Sequence, residues 1–149
     1  MAKLTEEVVN MIKNLESCRL QVYKDIAGLN TVGYGHRTDM AVGQVITQDT
    51  ADSFLHYDLV SAATLVNHYI HVPLSDNQFG ALISLVFNVG VHPLERTLGE
   101  ILNNGNYLAA ADQFLRWDHA VVDGQTVEVP GLKDRRQIER SLFLRADQT

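Results

Sequence analysis

Apolar residues recur at helical spacing along most of the chain. Between residues 5 and 17, Val8, Ile12 and Leu15 share a face and Thr5 stands where an N-cap belongs, predicting a first amphipathic helix that ends near Ser17. The pattern then changes. Val22-Tyr23-Lys24-Asp25, Gly28-Leu29-Asn30 and Thr31-Val32-Gly33-Tyr34-Gly35 alternate β-branched and aromatic residues with glycine, which predicts a short, bent hairpin. Glycines so closely set mark bends, or positions where another group comes close to the backbone.

Helical periodicity returns at Leu55, Leu59, Ala62, Val66 and Tyr69 behind the N-cap candidate Thr47, predicting a long connecting helix that stops before Pro73. Ser75 and Gln78 have the spacing of a capping box, and residues 79–89 are apolar on nearly every face before Gly90, as expected of a buried central helix. Thr97 and Glu100 repeat that spacing ahead of a helix of barely two turns closed by Asn104-Gly105, and a further helix is predicted from Asn106 to about Trp117. Residues 121–129 place Asp123-Gly124 between β-branched residues, suggesting a small hairpin or a loop excursion. A closing helix is predicted over 132–144. The sum is an α+β chain, mostly α.

Composition adds limits. With 149 residues, 46% of them hydrophobic and 20% charged, the chain suits one globular domain over 1–149 and excludes low-complexity or collagen-like classes. Neither an apolar run of roughly 18 to 20 residues nor a signal-peptide pattern is present, so no membrane insertion of its own and no self-export are expected. The single cysteine, Cys18, excludes an internal disulfide and is read as a small buried hydrophobe. The net charge of −6 is uneven: residues 41–132 carry ten acidic against two basic groups. Nucleic acid is therefore not an expected partner.

Candidate chemistry gathers early. Eight residues separate Glu16 from Asp25 and five separate Asp25 from Thr31, so a helix end and a hairpin would bring two carboxyls and a hydroxyl together. Glycoside hydrolysis needs such a pair, one carboxyl protonated to assist the leaving oxygen and one ionised to manage water or positive charge. Glu16, beside Leu15, is the acid candidate, while Asp25 and Thr31 are the water-holding candidates.

The run Leu15-Glu16-Ser17-Cys18-Arg19-Leu20-Gln21-Val22-Tyr23-Lys24-Asp25-Ile26-Ala27-Gly28, followed by Thr31-Val32-Gly33-Tyr34-Gly35-His36, resembles the phage-type lysozymes, the muramidase endolysins. Later landmarks agree: Phe87-Asn88-Val89-Gly90, Thr97-Leu98, Leu102-Asn103, Arg116-Trp117, and Pro130-Gly131-Leu132 before Arg135-Arg136 and Glu139. The resemblance implies a lysozyme-like fold with a small N-terminal lobe carrying a short β-hairpin region, a long connecting helix, a helical C-terminal lobe and a cleft between the lobes. It also implies a catalytic triad of Glu16, Asp25 and Thr31 and an inverting hydrolysis of the β-1,4 bond between N-acetylmuramic acid and N-acetylglucosamine in peptidoglycan. Phe87 and Thr97 would contact the glycan. Asn88 would offer its amide to an acetamido group or satisfy the end of its helix.

Further expectations follow from the resemblance. They are a monomer without cofactor or metal, held in the host cytoplasm until a separate holin gives it access to the wall. Two departures stand out: Ser17 replaces the glycine usual after the catalytic glutamate, and residues 118–129 replace a short glycine-rich turn. A lytic transglycosylase acting on the same bond and a non-catalytic peptidoglycan-binding module are the alternatives. Other residues have plainer readings. His36 is expected to be packed and hydrogen-bonded, not a general base, and the pair His68 and His71 lacks a third ligand for zinc. Trp117 is expected in the core, and Arg135, Arg136 and Arg140 on a solvated, ion-paired face.

Overall fold

A computed structural model describes residues 1–122 and 124–146. Helix α1 (Glu6–Glu16) leads into strands β1 (Arg19–Lys24), β2 (Asn30–Gly33) and β3 (His36–Arg37), then helices α2 (Gln48–Tyr69), α3 (Asp76–Val89), α4 (His92–Glu95), α5 (Thr97–Asn103) and α6 (Tyr107–Gln113). A 3-10 turn (Phe114–Arg116), strands β4 (His119–Val122) and β5 (Gln125–Glu128), and helix α7 (Pro130–Leu144) complete the chain. Two compact units emerge: Val9–Ser61, and Met1–Val8 together with the chain from Ala62 onward. Helix α2 runs from the first into the second, as the predicted connector should.

In the unit Val9–Ser61, β1, β2 and β3 form an antiparallel sheet in that order, with Tyr23 opposite Thr31 and Thr31 opposite Arg37. The third strand is only two residues long, too short to leave an alternating pattern, and the predicted hairpin therefore understated the sheet. Val22, Val32, Ile46, Ala51, Leu55 and Leu59 form this unit's core. A Cβ on Gly33 would meet the Ala51 side chain at 3.3 Å, so the glycine lets sheet and helix approach.

The other unit is built on α3, whose residues from Phe79 to Val86 are buried. Its capping box is complete: Gln78 N donates to Ser75 Oγ at 3.0 Å, and Ser75 N donates to Gln78 Oε1 at 2.9 Å. The box expected at Thr97 is absent. Arg96 is the N-cap of α5, no side chain caps it, and Thr97 is already its first helical residue. Thr5 and Thr47 do cap α1 and α2, accepting from Val8 N and Thr50 N. Strands β4 and β5 pair antiparallel, His119 opposite Glu128 and Val122 opposite Gln125, while Asp123 of the anticipated Asp-Gly turn lies outside the described residues. Trp117 is half-buried, and so is Cys18.

The reading of the closing helix requires a correction. Arg135 and Arg136 are not solvated: they are 6% and 0% exposed, and Glu139 is 0% exposed. Arg136 Nε lies 2.7 Å from Glu139 Oε1 and Arg135 Nε 3.3 Å from Glu139 Oε2, while the Ser84 hydroxyl of α3 donates to the same carboxylate. Only Arg140, paired with Asp112 at 2.8 Å, faces solvent as expected. Desolvation raises the Glu139 carboxyl above its ordinary pKa, with Arg136, Arg135 and Ser84 pulling against it. Removing one partner of a buried pair strands the other charge. Replacing Arg136 with Met is expected to cost about 3–5 kcal/mol in urea unfolding. Replacing Arg140 with Met should cost under about 1 kcal/mol. Equal losses for the two variants would contradict this assignment.

Candidate active site

Glu16 is the last residue of α1. The next residue, Ser17, is the only described non-glycine residue with positive φ, at 57°, and its N–H donates to Lys13 O at 3.2 Å. This left-handed position reverses the chain out of the helix into β1, and it is the position where a glycine would relieve the Cβ contact. Gly35, with φ 75°, closes the turn after β2, and a Cβ there would lie 3.3 Å from Glu16 Oε1. The glycine-tyrosine-glycine turn is thus set directly against the Glu16 carboxyl. Tyr34 is buried in this turn and its hydroxyl accepts from Gln48 Nε2 at 3.1 Å. Gln48 also donates to Asp52, and together with Lys13 at 3.4 Å it holds the Asp52 carboxyl below its ordinary pKa.

Asp25 and Thr31 are joined through one peptide carbonyl. Leu29 O accepts from Asp25 N at 2.9 Å and from Thr31 Oγ1 at 3.0 Å. In return, Leu29 N and Ala27 N each donate to Asp25 Oδ1 at 2.9 Å. Oδ1 is therefore occupied by the turn, and Oδ2 has no protein partner among the described residues. Gly28, at φ 81°, supplies the left-handed residue that lets this turn close. Thr31 is 3% exposed, and its hydroxyl proton is engaged, so toward a bound water it can only accept. Spacing suggested the neighbourhood of Asp25 and Thr31 but not Leu29, because a main-chain carbonyl has no side-chain signature.

His36 is stacked on Phe54 with centroids 4.2 Å apart, and its Nδ1 lies 2.8 Å from Asp58 Oδ2. This is the packed, hydrogen-bonded histidine expected. His71 Nε2 donates to His68 O at 2.9 Å, which removes that nitrogen as a ligand. Among the described residues no group of three or more His, Cys, Asp or Glu is arranged to hold a metal ion.

The remaining candidates belong to the other unit. Phe87 and Asn88 are half-buried at the end of α3, and Thr97 is exposed at the start of α5. Asn88 Oδ1 accepts from Arg136 Nη2 at 2.7 Å, so only its amide N–H groups remain for a ligand. The structure thus unites Asp25 with Thr31 and sets Glu16 against the neighbouring turn of the same unit.

Residues 13–139 match the sequence model of the phage lysozyme family. The chain belongs to the phage lysozyme family. This phage lysozyme is 42% identical over 141 residues to an endolysin of Acyrthosiphon pisum secondary endosymbiont phage 1, covering 94% of this chain and 97% of the relative. Among solved structures, it is similar to the muramidase domain of SpmX from Asticaccaulis excentricus, with a TM-score of 0.89, 34% identity, and 98% and 100% of the two chains covered. It is also similar to an endolysin from Escherichia coli O157:H7 phage FAHEc1, with a TM-score of 0.88, 33% identity, and coverage of 95% and 93%. The fold of this phage lysozyme is lysozyme-like, α+β and mostly helical.

Ser17 holds the left-handed backbone conformation although it is not a glycine. Ser17→Gly is expected to stabilise the protein by up to about 1 kcal/mol, relief of the left-handed Cβ contact exceeding the added unfolded-chain entropy. Its urea midpoint should rise, and a fall would show that the serine side chain contributes more than its backbone strain removes.

Proposed function

We propose that this phage lysozyme acts as an endolysin, cleaving the β-1,4 bond from N-acetylmuramic acid to N-acetylglucosamine with Glu16 as general acid and Asp25 and Thr31 as the water-holding pair. It is a lysozyme-type glycosidase that hydrolyses peptidoglycan in host lysis. The observation that supports the residue assignment is the shared Leu29 carbonyl, which accepts from Asp25 N and from Thr31 Oγ1, while Leu29 N donates to Asp25 Oδ1 and leaves Oδ2 available.

A water donating one hydrogen to Asp25 Oδ2 and one to Thr31 Oγ1 presents its lone pair away from them, toward the anomeric carbon. Glu16 gives its proton to the departing C4 oxygen of N-acetylglucosamine as the bond to C1 breaks. The water oxygen bonds to C1 from the opposite face, Asp25 takes one water proton and releases it to solvent, and solvent returns a proton to Glu16. The bond broken is β, and attack from the far side leaves the new hydroxyl α: the reaction inverts.

In the other unit, Phe87 and Thr97 are proposed to contact the glycan, and Asn88 to donate an amide hydrogen to an acetamido carbonyl. The domain is proposed to act as a monomer and to reach the wall from the host cytoplasm through a separate holin. Among the described residues no helix is long and apolar enough to cross a membrane.

A positioned general acid contributes about 10²–10⁴-fold. Glu16→Gln should lower kcat on purified peptidoglycan by that factor while leaving the unfolding midpoint near wild type. Mass spectrometry of wild-type fragments should find hydrated reducing ends. Anhydro-muramyl products would instead assign a lytic transglycosylase, and undiminished turnover by a folded Glu16→Gln protein would remove Glu16 from the mechanism.

A further inference from the structure

A cavity of about 280 Å³ lies at the edge of the three-stranded sheet, lined by Leu29, Asn30, Arg37, Thr38 and Asp39. It borders the catalytic hairpin through Leu29, the residue whose carbonyl links Asp25 to Thr31. Arg37 is directly opposite Thr31 in the β2–β3 ladder, and directly opposed residues project from the same face of a sheet. The guanidinium is exposed and makes no ion pair or hydrogen bond among the described residues. A second cation stands at the margin, where Lys24 Nζ donates to Asn30 Oδ1 at 3.3 Å. Asn30 is itself fixed, its Nδ2 donating to Met40 O at 3.0 Å, and Thr38 Oγ1 accepts from Met40 N at 3.1 Å. The cavity is thus lined by one cation, Arg37, and one carboxylate, Asp39, with Lys24 bonded to its lining residue Asn30, in a protein whose net charge is −6.

Sugar hydroxyls and acetamido groups do not call for an unpaired guanidinium. A carboxylate does, because the planar fork of arginine matches its two oxygens. We propose that Arg37 is a substrate-specificity residue that binds a carboxylate of the peptide stem carried by the muramyl side of the glycan, the lactyl carboxyl itself being tied up in the amide to that stem. This inference rests on the muramidase reading above. Asp39 opposes the ligand: it shares the cavity and repels the same carboxylate, so the two charged side chains have effects of opposite sign on substrate binding.

The test compares wild type, Arg37→Ala, Arg37→Lys and Asp39→Asn on three wall preparations: intact peptidoglycan, glycan stripped of stems by an amidase, and stripped glycan with its lactyl carboxylates converted to amides. On intact wall, Arg37→Ala should lower kcat/KM about three- to tenfold through KM, with kcat and the unfolding midpoint near wild type. Arg37→Lys should recover part of the loss, and Asp39→Asn should raise kcat/KM. A defect that disappears on stripped glycan assigns the stem carboxylate. Stripping frees the lactyl carboxyl, so a defect that persists on stripped glycan and disappears only after amidation shows the guanidinium accepting that new carboxylate in place of the stem's. An Arg37→Ala protein equal to wild type on intact wall, or equally impaired on all three preparations, would overturn the proposal. The muramidase reading fails separately, on a wild-type protein that cleaves none of them.

Discussion

The carbonyl oxygen of Leu29 is the point on which the hairpin carrying Asp25 and Thr31 depends. It accepts two hydrogen bonds, one from the main chain of Asp25 and one from the side chain of Thr31, and the N–H of the same residue returns a bond to Asp25 Oδ1. Each bond removes a degree of freedom from a functional group. The aspartate cannot rotate both oxygens into the turn, and the threonine cannot present its proton to solvent. Two hydrogen-bond acceptors are left, and two acceptors together orient a water molecule where one would leave it free to spin. The placement of these two side chains is a by-product of closing a turn: Gly28 permits the left-handed step, and the ladder between Lys24 and Asn30 fixes the register.

The sheet edge gains its neighbours through the same economy of backbone. Gly33 and Gly35 flank Tyr34, and both stand where a side chain would intrude, the first on Ala51 and the second on the Glu16 carboxyl. Between them Tyr34 is anchored by Gln48 at the start of α2. A conformational requirement at two positions thus brings a helix end, a turn and the base of the next helix together around Glu16. In the other unit the organising interaction is of a different kind. A buried carboxylate, Glu139, gathers Arg135, Arg136 and Ser84, and Arg136 extends the network to Asn88 and the carbonyl of Trp117. Such a network contributes less to net stability than its short distances suggest, because desolvation offsets most of its attraction. Its consequence is directional, since α7 can satisfy those charges only in one register on α3.

Local chemistry made much of this readable in the chain. Thr5, Thr47 and Ser75 predicted helix starts because a cap is a short-range contract between neighbouring residues, and the long apolar run after Gln78 predicted the buried helix because burial on every face leaves no polar stripe. The nearness of Asp25 to Thr31 was readable from spacing, and the family from resemblance. What the pattern could not convey lies in tertiary partners. Thr97 and Glu100 have capping spacing, yet the chain enters α5 one residue earlier, after Arg96 in extended geometry (φ −117°, ψ −147°). Helix α4 is four residues long and β3 two, below the length at which any period registers. Arg135, Arg136 and Glu139 look like a solvated face because their ion-pair spacing is the same on a surface as in a core. Ser84, a lone hydroxyl inside an apolar helix, was the one signal that a buried polar partner would be needed.

The most direct test of the water-holding geometry is the configuration of the product at the moment of release. Proton NMR of soluble glycan fragments, recorded faster than the anomers equilibrate, reads that configuration from the anomeric coupling. Attack by a water held on Asp25 and Thr31, on the face opposite the leaving oxygen, predicts that the new muramyl reducing end appears first as the α anomer and drifts toward the equilibrium mixture. Initial appearance of the β anomer would require a covalent or same-face route and would contradict the account.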